Sequence, residues 1–102
     1  MLPSNYHEIS ENEQAVHWVR YIYQGMRWAG EDGYDEISIL DRKELDKWKT
    51  LDPQLEKIMP KILDSLADMW QEPKDAFFQR VNKQMGTDFP RPSEEQRIPR
   101  KK

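Results

Sequence analysis

Ser10-Glu11-Asn12-Glu13-Gln14-Ala15-Val16-His17-Trp18-Val19-Arg20-Tyr21-Ile22-Tyr23-Gln24-Gly25-Met26-Arg27-Trp28-Ala29 is the stretch that decides the fold class. At 100° per residue, Ala15, Trp18, Val19, Ile22, Met26 and Ala29 fall within one arc, and His17, Arg20, Gln24 and Arg27 gather opposite, as in an amphipathic α-helix. Ser10 and Glu13 stand at capping-box spacing, so the Ser10 hydroxyl can accept from the Glu13 amide while the Glu13 side chain reaches back. The apolar arc is wider than one buried face requires. Tyr21, Gly25 and Trp28 extend it at one edge, Val16 and Tyr23 at the other. A helix of this kind either sits centrally or keeps an aromatic edge for a partner.

Working outward, Gly30-Glu31-Asp32-Gly33 ends this helix, because glycine just past the last periodic residue supplies the left-handed conformation of a helix terminus. A short extended piece, Glu36-Ile37-Ser38-Ile39, is expected next. Asp41 and Glu44 then stand at capping-box spacing, with Leu40 and Leu45 placed as a hydrophobic staple. They predict a short helix ending near Lys49 with Trp48 turned inward. Asp52-Pro53 reads as an N-cap followed by proline at the first helical position, where its missing N–H costs nothing. The helix it opens runs to about Gln71, with Leu55, Ile58, Met59, Ile62, Leu66, Met69 and Trp70 inward and Glu56, Lys57, Lys61, Asp64 and Asp68 outward. Pro60 lies inside it and should bend or split it. Lys74 to Met85 forms the last helix, presenting Phe77, Phe78, Val81 and Met85 and stopped by Gly86. The expected fold is all-α, a small bundle of three to four helices with a disordered basic C-terminal tail. Residues 1–9 form a flexible N-terminal segment, 10–87 the helical domain and 88–102 the tail.

The chain has 102 residues, 36% hydrophobic, 34% charged and 11% aromatic, enough for one domain with a single core. It has no cysteine, which removes disulfides, thiolate nucleophiles and cysteine-containing metal sites together. No apolar run approaches the roughly 20 residues that span a bilayer, and Met1-Leu2-Pro3-Ser4-Asn5 lacks the basic and apolar regions of a signal peptide. The expectation is a cytoplasmic protein without membrane contact. Charge is unevenly spread: residues 1–73 carry eight Lys/Arg against fifteen Asp/Glu, and residues 74–102 carry eight against four. The body is acidic and the end is basic.

Motifs for chemistry are missing. His7 and His17 have no Asp or Glu at metal-ligand spacing, and none of the five serines sits in a G-x-S-x-G turn or an S-x-x-K pair. The carboxylate run Glu31, Asp32, Asp35, Glu36 and Asp41 does not match the calcium loop and reads as a solvated acidic loop. Gly25, Gly30, Gly33 and Gly86 match no phosphate-binding pattern. No catalytic residue, cofactor or metal is expected, and the protein reads as a non-enzyme. Nor do the residues fit helix-turn-helix, EF-hand, repeat-helix or zipper signatures, as expected of an accessory protein of viral or mobile-element type more than of a widespread enzyme.

Surface is what remains. The edge of Tyr21 and Trp28, which Trp18 can join, is flanked by Arg20 and Arg27, and Trp, Tyr and Arg are the residue types enriched at binding hot spots. Burial in the core is the competing reading, since a small domain must bury most of its Trp. The leading expectation is a protein-binding module acting as adaptor, inhibitor or regulatory subunit, with Arg20, Tyr21, Trp28 and Asp32 as contacts. The alternative is nucleic-acid binding through the tail, using Arg91, Arg97, Arg100, Lys101 and Lys102 to neutralise phosphates; Glu94 and Glu95 interrupt that run. An acidic body that imitates nucleic-acid charge is a third reading, and the broad apolar arcs leave room for a homodimer.

Overall fold

In the computed structural model, which describes residues 4–98, four α-helices make up the fold: α1 (Glu11–Glu31), α2 (Arg42–Leu51), α3 (Leu55–Met69) and α4 (Lys74–Met85). Three single 3-10 turns, Tyr6–Glu8, Glu36–Ile39 and Glu94–Gln96, lie before, between and after them, and no strand occurs among the described residues. α1 packs on α3 and on the turn that follows it, α3 also contacts α4, and α2 touches both α3 and α4. The fold is all-α.

Ser10 caps α1 by accepting from the Glu13 amide, and Asp41 caps α2 by accepting from Glu44. Leu40 and Leu45, the staple pair, are both fully buried. At the C-terminus of α1, Gly33 adopts φ +86°, which lets the Tyr34 N–H reach Ala29 and the Gly33 N–H reach Gly30, a Schellman ending. The same arrangement closes α3 at Gln71, which carries φ +55° without being glycine, and at the end of α4 both the Gly86 and Thr87 N–H groups reach the Asn82 carbonyl.

Four places differ from expectation. Glu36–Ile39 is a 3-10 turn and not an extended piece, because Asp35 caps it through the Ile37 amide and the three-residue turn aims Ile37 and Leu40 together into the core. α3 begins at Leu55, not behind Asp52. The Asp52 carboxylate folds onto the Gln54 amide and is buried, leaving Asp52-Pro53-Gln54 as a turn that precedes the helix. Met69, placed inward by the helical wheel, is 45% exposed at the end of α3, a helix that runs through Pro60 without being split. Asp64, placed outward by the helical wheel, is buried: Lys74 approaches it at 3.0 Å and Arg97 at 2.9 Å. α3 is therefore covered on nearly every side.

Both flanks of the helical domain lie on it where they are described. Tyr6 is buried and donates to Asp52 at 2.6 Å, and the Trp18 indole N–H donates to the Tyr6 hydroxyl at 2.9 Å. After Gly86, Asn82 holds the chain by exchanging two hydrogen bonds with the Phe89 backbone. Phe89 and Ile98 then pack half-buried against the core, and Arg97 bridges Asp64 and Asp68.

Candidate functional site

Helical spacing places Tyr21, Gly25, Trp28 and Asp32 in one stripe on the flank of α1, away from the arc that buries Ile22 and Met26. Tyr21 is 40% exposed and Trp28 59%, so this edge is surface; Trp18, one turn before, is fully buried. The competing reading, that these aromatics are all core, holds for Trp18 and not for Tyr21 or Trp28.

Opposite the stripe stand Ile39 from the connecting turn and Glu44 and Trp48 from α2. Together with Tyr21, Gln24, Gly25 and Trp28 they enclose a half-open cleft of about 250 Å³. Its shape follows from small features. Gly25 lets the turn come close, since a Cβ there would lie 3.1 Å from the Ile39 Cδ1. Tyr21 meets the buried Trp18 edge-on with centroids 5.8 Å apart, and Trp18 lies 6.2 Å from Trp48, so the cleft wall is braced by the core. Trp48 is itself 3% exposed and forms the floor, whereas Trp28 stands at the rim.

Among the described residues, Glu44 is the one charged residue lining this cleft. Its amide is used in capping α2, and its carboxylate lies 3.4 Å from Lys47 one turn on, an exposed and weak pairing. Arg20 and Asp32 do not line the cleft. Arg20 is exposed on the adjacent face, and Asp32 is the C-cap, its N–H bonded to Trp28 and Gly30 carbonyls and its side chain open to water. The structure thus brings Tyr21 and Trp28 together with Ile39, Glu44 and Trp48, and leaves Arg20 and Asp32 as neighbours. Glu44 and Ile39 had no sequence signal: one read as a capping residue, the other as part of a strand.

On the far side of α1, Tyr23 stacks edge-on against Trp70 at 5.0 Å above a shallower hollow with Arg27, Gly30, Glu31 and Glu36. In the basic segment, Arg91 pairs with Asp75 at 2.8 Å and Arg97 with Asp64 and Asp68. These two guanidiniums already hold carboxylates; Arg100, Lys101 and Lys102 lie outside the described residues. Asp35 of the acidic loop pairs with Arg80, and the Ile37 amide, then Arg80, hold its carboxyl below the usual range.

Among the described residues, no cluster of three or more His, Asp or Glu is arranged to hold a metal ion, and no helix is long and apolar enough to cross a membrane. The buried carboxylates, Asp52 and Asp64, face Tyr6 and Lys74 rather than the cleft. Compared with known proteins, the chain matches no family model, no curated protein and no solved structure.

Proposed function

We propose that this protein is a cytoplasmic, non-enzymatic binding module, an adaptor, inhibitor or regulatory subunit that acts by occupying a partner protein through the α1–α2 cleft. The observation that carries the proposal is Trp28, 59% exposed at the rim of an apolar hollow that Tyr21, 40% exposed, also lines. A tryptophan offers roughly 150–250 Å² for burial, so covering what Trp28 still exposes stabilises a complex by about 3 kcal/mol at about 25 cal/mol per Å². Tyr21 adds a smaller increment of the same kind. Rigid aromatics lose little conformational freedom on binding, which is why they recur as anchors.

The test is capture of partners from the native host on the immobilised full chain, in parallel with Tyr21→Ala/Trp28→Ala and with nuclease added. A discrete protein held by the wild-type chain, released by the double substitution and indifferent to nuclease is expected. Recovery unchanged by the double substitution, or abolished by nuclease, would overturn the proposal.

A further inference from the structure

We propose that the α1–α2 cleft receives an arginine side chain of the partner, its guanidinium stacked on the Trp28 and Tyr21 rings and its charge met by the Glu44 carboxylate. This inference rests on the binding-module reading and names the chemistry of the partner.

Two features of the cleft favour a cation over an anion. Among the described residues its lining contains a carboxylate and no positive group, and three of them, Tyr21, Trp28 and Trp48, are aromatic. An aromatic face carries negative electrostatic potential and attracts a cation placed over it, the more so where water is partly excluded. The same face and the same carboxylate repel an anionic side chain. Arginine suits the site better than lysine: its planar guanidinium stacks on an indole and pairs with a carboxylate at once, and it is more weakly hydrated.

Glu44 is free to serve. Its present partner Lys47 is an i,i+3 neighbour on the surface of α2, with a side chain 62% exposed, so its ammonium returns to water at little cost when a guanidinium arrives. Beyond Trp28, Asp32 caps α1 with an exposed carboxylate, whereas Arg20 lies on the adjacent face and Glu31 and Arg27 share the hollow on the far side of α1. A basic segment approaching from the Asp32 end therefore meets this carboxylate on its path.

The probe is N-acetyl-arginine amide, titrated to about 50 mM into the full chain, a range that resolves a millimolar Kd, with the four indole N–H signals read by NMR. N-acetyl-norleucine amide, of similar length and uncharged, is the comparison. The expected result is a saturating shift of the Trp28 and Trp48 signals with the arginine probe and binding at least threefold weaker with norleucine. Glu44→Gln, which keeps the shape and the capping amide, is expected to lower affinity for arginine about tenfold, the loss of one charge-assisted contact. Equal binding of the two probes, an unchanged affinity in Glu44→Gln, or no shift of these signals would overturn the inference. A partner that is lost with Tyr21→Ala/Trp28→Ala but kept by Glu44→Gln would remove the arginine and leave the binding-module reading standing.

Discussion

Replacing Asp52 by alanine tests how the segment before α1 is fastened. The Asp52 carboxylate, 3% exposed, accepts from the Tyr6 hydroxyl at 2.6 Å, from the Trp18 indole at 3.3 Å and from the Gln54 amide at 3.1 Å. Trp18 keeps the Tyr6 oxygen as an acceptor, so the loss falls on the other two bonds. A buried hydrogen bond to a charged group is worth about 1.5–3 kcal/mol and a local bond to a backbone amide about 1. The expected destabilisation is about 2–4 kcal/mol, or roughly 10–25 °C in Tm for a domain of this size. Urea unfolding followed by far-UV circular dichroism measures it. Burial first, then the Asp52 hydrogen bond and charge, push the Tyr6 hydroxyl above its ordinary pKa. The folded state therefore holds that proton more tightly than the unfolded chain, and the contribution is complete below the ordinary tyrosine value of about 10 and fades as pH rises past it. Tyr6→Phe should flatten that alkaline decline. A loss below about 0.5 kcal/mol in Asp52→Ala, the size of an ordinary surface change, would refute the reasoning and return Tyr6 to a loosely held terminus.

Three further outcomes follow from the packing. Trp48→Ala, which empties the cleft floor, should cost about 3–5 kcal/mol, measured by the same unfolding assay. Gln71→Gly should raise stability by about 0.5–1 kcal/mol, because Gln71 holds a left-handed φ of +55° that glycine adopts without strain. Arg97→Ala leaves Asp64 buried with Lys74 alone and should cost about 1–3 kcal/mol, with greater hydrogen-exchange of the Phe89 amide as the local readout. For the same reason, cutting the chain after Gly86 is a poor assay of nucleic-acid binding, since it removes Phe89, Ile98 and Arg97 from the body as well as the basic residues.

Helix positions were legible because their signals are local. Ser10, Asp41, Gly33 and Gly86 work within four residues of where they stand, and each does what its chemistry suggests. Asp52 carries the same local signal as Asp41, yet its carboxylate is taken by Tyr6, 46 positions away, a competitor no window of sequence shows. Asp64 sits on the polar side of the α3 wheel, and only the return of the chain through Arg97 and the start of α4 turns that side inward. The cleft divides in the same way. The excess width of the α1 arc pointed to Tyr21 and Trp28, whereas Glu44, Ile39 and Trp48 join them only because α2 and its preceding turn fold back over Gly25.

Tyr21→Ala/Trp28→Ala, assayed for stability and for partner capture on the same preparation, separates an interface from a core. With Tyr21 40% and Trp28 59% exposed, the helical circular dichroism should be unchanged and the unfolding free energy lowered by no more than about 1–2 kcal/mol, well short of the roughly 3–5 kcal/mol for one buried tryptophan, while capture is lost. Collapse of the fold with the double substitution, or capture that survives it, would contradict the assignment of this edge as the binding surface.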